Sequence, residues 1–334
     1  MDVITLAHGS GGKLTHQLID SIFQQYFDNE ILGQKNDSAL LPEVNGKIAV
    51  TTDSFVINPI FFNGGDIGKI SVCGTVNDLA MSGAKPLYLT VGFIIEEGLA
   101  IEDLRKIVKS IAKTAKEAGV KIVTGDTKVV EQGNADKIYI NTTGIGVVTR
   151  DIYIGGEMAE PGDKVIINGT LGDHGASIMA QRGDLDFDFS TESDCCLLNN
   201  LIEDILNTSN NVKVLRDPTR GGLATTLNEI ASQSQVAIEL EEEQIPIKAE
   251  VRSLCEILGV DPLYLANEGK VIVIVSEEDV EKVLEVMRKN PMGEDAQIIG
   301  TIVDSNDSNV YLKTGLGGTR ILNMLAGELL PRIC

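Results

Sequence analysis

Between Arg150 and Gly162 the chain changes character: Gly155-Gly156 and Pro161-Gly162 interrupt it, and such pairs punctuate secondary structure. On either side, strand-like runs and amphipathic helices follow one another in similar outline. The break predicts two units, as does a length of 334 residues, more than one core usually serves. Before it, periodicity predicts helices over 14–27, 67–81 and 101–118, and strands over 47–52, 87–95, 120–124, 137–140 and 144–148. The clearest is 101–118, where Leu104, Ile107, Val108, Ile111 and Ala115 recur at helical spacing and Gly119 ends the run. After it, strands are expected over 164–167, 271–275, 297–303 and 310–312, and helices over 176–181, 195–207, 222–232, 248–258 and 277–288. Each half mixes helix and strand without regular βαβ alternation, an α+β pattern. The expected segments are a glycine-rich flap and helix (1–35), two domains (36–150 and 151–315) and a mobile tail (316–334).

Composition narrows the partners. A net charge of −21, from 28 basic and 49 acidic side chains, excludes a counterion-displacing nucleic-acid surface. No segment approaches the ~20 apolar residues that span a bilayer. Met1-Asp2-Val3-Ile4 lacks the basic start and long apolar run of a signal peptide, so a cytoplasmic location is expected. The cysteines are Cys73, Cys195, Cys196, Cys255 and Cys334. An odd number without a CxxC pair fits neither a zinc site nor a disulfide framework. Cys73 and Cys255 sit in apolar stretches and read as buried thiols. Cys334 closes the sequence behind Pro331, which fixes its own φ. It reads either as a thiol carried on an arm or as a frayed end.

Four aspartates fall where expected strands or helices meet loops: Asp37, Asp53, Asp78 and Asp126. Two of them, Asp53 and Asp126, are expected to terminate apolar strands, where a side chain can project into a crevice. They either cap their elements or converge around Mg²⁺, which completes its octahedron with phosphate oxygens and water. No Walker A motif is present: Gly12-Lys13 has Ala7 and Leu14 at the positions that motif requires, and Gly68-Lys69 is followed by Ile70. Gly9-Ser10-Gly11-Gly12-Lys13 opens a helix and suits a mobile flap over a ligand or a flexible leading segment. Asp217-Pro218-Thr219-Arg220-Gly221-Gly222 precedes a helix, so it either faces an anion with its backbone N–H groups or simply caps that helix. His8, His16 and His174 form no metal-ligating pair, and His174 reads as structural.

Taken in order, NDSALL (36–41), TTDSFV (51–56), NDLAMSGAKP (77–86), GDTK (125–128) and DPTRGG (217–222) resemble an ATP-binding superfamily. It includes aminoimidazole ribonucleotide synthetase (PurM), thiamine-phosphate kinase and selenophosphate synthetase. With the flap HGSGGK (8–13) and the ending PRIC (331–334), the chain is similar to the HypE family of hydrogenase maturation factors over nearly its whole length. The resemblance implies a two-domain PurM-like fold: an N-terminal ATP-binding and dimerisation domain forming a β-barrel across a homodimer, and a C-terminal α/β sandwich-like domain. It implies a carbamoyl group received on Cys334 from the maturation factor HypF and its ATP-dependent dehydration to a thiocyanate. The cyanide would pass to iron on a HypC–HypD complex for the [NiFe] hydrogenase site. Asp37, Asp53, Asp78 and Asp126 would handle Mg²⁺ and phosphate, with Asn77, Gly11, Gly12 and Lys13 helping to hold ATP. Glu268 or Lys128 would act on the carbamoyl group; Glu268 is the better base if burial raises its pKa, and otherwise lies in a surface turn. The alternatives are another ATP-dependent enzyme of this fold (a small-molecule kinase or selenophosphate synthetase) and a non-catalytic thiol carrier. The flap lacks the cysteine that selenophosphate synthetase-like chains carry there.

Overall fold

The structure, a computed structural model, describes residues 3–34, 36–183, 189–305, 307–327 and 332–334. Pro331, expected to stiffen the tail, lies outside them. No described helix is long and apolar enough to cross a membrane.

The chain opens with one helical run in three pieces: α1 (Lys13–Leu18), a π-helical turn (Ile19–Phe23) and α2 (Gln24–Phe27). Strand β1 (Lys47–Phe55) follows, then the short hairpin β2 (Phe61–Phe62) and β3 (Gly65–Asp66), α3 (Ile67–Met81), β4 (Lys85–Glu96), α4 (Ile101–Ala118), β5 (Lys121–Val130) and β6 (Ile138–Val148). The four long strands form an open sheet in the order β1-β6-β4-β5. Asp66 caps α3 by accepting from Gly68 N (2.7 Å) and Lys69 N (3.1 Å). α3 is buried nearly all round because small residues let its neighbours close in. A Cβ on Gly68 would stand 2.5 Å from the Ile107 carbonyl of α4. One face of the sheet is sealed by α3 and α4. The other leaves Ile48 and Val50 (64% and 63% exposed) and Ile94 uncovered.

The second unit comprises β7 (Lys164–Ile167), α5 (Asp173–Arg182), α6 (Asn199–Thr208), β8 (Val212–Arg216), α7 (Gly222–Ser234), β9 (Ala237–Glu241), α8 (Ala249–Leu258), β10 (Ile272–Val275), α9 (Val280–Lys289), β11 (Gln297–Val303), β12 (Val310–Lys313) and β13 (Thr319–Leu322). Its strands form one seven-stranded sheet, β13-β12-β9-β11-β7-β10-β8. Leu223, Leu227 and Ile230 of α7 pack on one face. Ile202 and Ile205 of α6 and Val283 and Met287 of α9 pack on the other, together with Ala80 and Met81 of α3, which joins the two units.

The two expected strands at 137–140 and 144–148 are one. Strands β8 (Val212–Arg216) and β9 (Ala237–Glu241) fall outside the expected strands: each breaks its apolar run with a charged residue, Lys213 and Glu239. β13 falls inside the expected tail, where it pairs with β12. The helix expected from Cys195 begins at Asn199 instead. Asn77 explains the delay: its amide takes the backbone of that segment, donating to Cys196 O (3.0 Å) and accepting from Leu198 N (2.8 Å), in place of helical hydrogen bonds.

Candidate functional site

The end of the tail is tucked against the first unit. Ile57 and Ile333 form an antiparallel bridge. Val56 N–H donates to the Cys334 carbonyl (2.8 Å) and Asn58 N–H to that of Arg332 (3.3 Å). Ile333 is buried, and its carbonyl meets His174 Nε2 at 2.7 Å. Arg332 adopts a left-handed backbone (φ 55°) and pairs with Asp136 at 2.6 Å, while the Arg182 guanidinium donates to the carbonyls of Asn58 and Arg332.

This places Cys334, half-buried, in the wall of a cavity of about 430 Å³ shared with Ser54, Val56, Arg220, Gly221 and Tyr264. Burial, reinforced by the neighbouring Glu268 and Asp53 carboxyls, pushes the thiol up to about 12, against the pull of Arg220, which hydrogen-bonds it.

Glu268 is 4% exposed, and its Oε1 is buried without a hydrogen-bond partner. Burial first, then the charges of Asp194 and Asp217, holds this carboxyl well above its ordinary range. Its backbone N–H donates to Asp194 Oδ1 (3.0 Å). Asp194 in turn is ion-paired with Lys270 (3.1 Å). Between Glu268 and Lys270 only glycine fits: a Cβ on Gly269 would lie 1.9 Å from the Asp194 carbonyl.

Beside these residues, three carboxylates converge from three elements. Asp53 on β1 accepts from Thr75 Oγ1 (3.1 Å) and Asp78 on α3 from Thr51 Oγ1 (2.9 Å); Asp217 follows β8. Burial, then the facing charges of Asp217 and Asp53, lifts Asp78 to about 7. Burial likewise raises Asp217. Carboxylates converging from separate elements form a hard-oxygen donor set whose mutual repulsion a divalent cation would relieve. Among the described residues no three His, Cys, Asp or Glu side chains lie close enough together to hold a metal ion by themselves. Mg²⁺ does not require three, since it usually takes one or two carboxylates and completes its octahedron with water and phosphate.

Other expected residues lie elsewhere. Asp53 and Asp126 do not end strands; both sit within them, because β1 and β5 continue in register with β6 and β4. They also lie on opposite faces. One cross-strand row is Asp53, Thr142, Val91 and Gly125, turned toward the helices; the next is Ser54, Asn141, Gly92 and Asp126, turned away. Asp126 is held below its usual range by Lys128, which pairs with it at 2.9 Å. Neither joins Cys334 and Glu268. Asp37 is exposed in the loop before β1. Gly11, Gly12 and Lys13 are exposed at the start of α1, and the preceding Gly9 packs on Val129 of β5. Asn77 is buried and its amide engaged as described, so it braces the segment leading into α6. Asp217 and Arg220, by contrast, belong to the group although only their motif stood out in the sequence. Their signal was a polar, glycine-rich turn opening a helix.

Residues 35–148 match the family described as AIR synthase related protein, N-terminal domain, and residues 160–313 its C-terminal domain counterpart. The chain is 50% identical over 332 residues to "Carbamoyl dehydratase HypE" of Cupriavidus necator, covering 99% of this chain and 95% of that one. Among solved structures it resembles hydrogenase maturation protein HypE in complex with ATP, with a TM-score of 0.95 and 50% identity over 98% of this chain and 99% of that one. It also resembles a chain of a HypE–HypF complex, with a TM-score of 0.81 and 52% identity over 92% and 99%.

Proposed function

Because the chain belongs to the HypE family of carbamoyl dehydratases, we propose that it uses ATP to dehydrate a carbamoyl group carried on Cys334. The product is a thiocyanate whose cyano group serves as a ligand for the iron of a [NiFe] hydrogenase. The observation that carries this reading is the tucked tail, which sets the Cys334 thiol beside both Glu268 and Arg220. A HypF-type protein loads the carbamoyl group, and a HypC–HypD complex receives the cyanide.

The carbamoyl oxygen is a poor leaving group until it is phosphorylated. Bound ATP with Mg²⁺ would supply that phosphoryl group and neutralise charge, with one or two carboxylates of the Asp53, Asp78 and Asp217 group holding the cation. The oxygen then departs as phosphate, and the carbamoyl nitrogen gives up both protons as the C≡N bond forms. Arg220 lies where it can steady the charge developing on the oxygen. Glu268, buried and with one oxygen unpartnered, is the group suited to take a proton from nitrogen; relief of the surrounding carboxylate charge frees it to act as a base. Asp126 and Lys128, on the outward face of the sheet, serve the nucleotide only from outside this cluster. That face, with Ile48, Val50 and Ile94 exposed, supports a homodimer in which two four-stranded sheets close a barrel.

Intact mass tests the reaction. Incubation with the carbamoylating partner should add about 43 Da, and ATP should then remove about 18 Da, as the group formulae of this covalent intermediate require. A mass unchanged by ATP would refute the dehydratase reading.

A further inference from the structure

His174 is fully buried and has no part in the chemistry above, yet both ring nitrogens are engaged. Nε2 lies 2.7 Å from the Ile333 carbonyl and Nδ1 2.7 Å from Ser193 Oγ. A carbonyl oxygen only accepts, so Nε2 carries a proton. Burial lowers the pKa of the ring and keeps it neutral, so Nδ1 presents a lone pair and Ser193 O–H donates to it. Ser193 Oγ accepts from Cys195 N–H (3.2 Å). Every direction in the chain is thereby fixed, from Cys195 N–H through Ser193 and His174 to the Ile333 carbonyl. Phe62 closes the ring's flank, with centroids 5.6 Å apart at 84°. The residue after Ser193 is Asp194, which accepts the Glu268 N–H. One turn of chain therefore grips the base on one side and, through His174, the residue next to the acceptor cysteine on the other.

We propose that Ser193 and His174 are positioning residues, a hydrogen-bonded relay that pins the Ile333 carbonyl and so holds the Cys334 thiol in the cavity beside Glu268. A histidine serving only the core would bond within its own unit; this one reaches 159 residues along the chain to the tail. The role in catalysis rests on the dehydratase reading, whereas the grip on the tail does not.

Two readouts on the full-length protein test it: the rate at which iodoacetamide alkylates Cys334, followed by peptide mass spectrometry, and the ATP-dependent loss of water from the carbamoylated tail. Loss of one buried hydrogen bond shifts such an equilibrium by about five- to tenfold. Cys334 alkylation in His174→Phe and Ser193→Ala should therefore rise, and dehydration should slow, by factors of that order. His174→Gln, whose amide nitrogen can occupy the Nε2 position, and Ser193→Thr should recover most of both. Alkylation and dehydration at wild-type rates in folded His174→Phe would overturn the proposal, as would a Gln variant no better than Phe. If His174→Phe does not fold, Ser193→Ala decides in the same way, since it only removes a hydroxyl. A wild-type protein that never loses water, but whose alkylation still responds to these variants, would overturn the dehydratase reading and the catalytic part of this proposal while leaving the grip on the tail established.

Discussion

Thr51 on β1 donates its hydroxyl to Asp78 on α3 at 2.9 Å, yet this bond does not keep Asp78 acidic. Burial and the carboxylates of Asp217 and Asp53 outweigh it and carry the group to about 7. Because the folded pKa lies above the unfolded value of about 3.9, the stability linked to Asp78 is complete below about pH 4. It is lost as pH rises through about 7. Asp78→Asn should flatten that slope, making the nucleotide-free protein more stable than wild type at pH 8, and should weaken Mg²⁺-ATP binding. Urea denaturation at pH 5 and pH 8, with calorimetric titration of Mg²⁺-ATP, checks both; an unchanged slope would remove Asp78 from the cluster.

Glu268→Gln keeps the shape of a side chain whose charged form burial disfavours, so its melting temperature should stay within a few degrees of wild type. Dehydration should fall by roughly 10²–10⁴-fold, the usual contribution of a general base. Mass spectrometry should show the carbamoyl adduct persisting after ATP is added. Rapid water loss in this variant would assign the base elsewhere.

Cys334→Ala should abolish carbamoyl acceptance and leave ATP affinity unaltered, because the carboxylate cluster holds the nucleotide end of the site. Incorporation of labelled carbamoyl into this variant would place the acceptor on another thiol.

Asn77→Ala should destabilise the fold by about 2–3 kcal/mol, since it strands two buried backbone groups at Cys196 and Leu198. Chemical denaturation measures it, and a loss below about 0.5 kcal/mol would mean the segment is held by something else.

Val50→Asp, on the uncovered face of the first sheet, should convert the proposed homodimer to monomers in light scattering, because like charges would then face each other across its two-fold axis. A dimer that survives would move the interface to another surface.

Much of this was legible in the sequence, unevenly. Periodicity located α4, where the buried stripe repeats without interruption. It missed the short strands β8 and β9, and it could not foresee that Asn77 unwinds residues 195–198. The motifs marked Asp53, Asp78 and the Asp217–Arg220 turn. They could not say that Asp53 and Asp126 face opposite ways, which depends on pairing register across four strands. The partnership of Ser193 and His174 with the tail had no local signal, because it joins positions far apart in the chain.

The environment of Cys334 has a consequence for how long the molecule keeps its chemistry. Burial pushes its pKa up to about 12, so the thiol stays protonated at pH 7 while the tail is tucked, and the thiolate is the form that peroxides attack. The tucked tail therefore doubles as storage, keeping an irreplaceable sulfur reduced between turnovers. Hydrogen peroxide should convert Cys334 to its sulfinic acid more slowly in native protein than in urea, a difference peptide mass spectrometry can read.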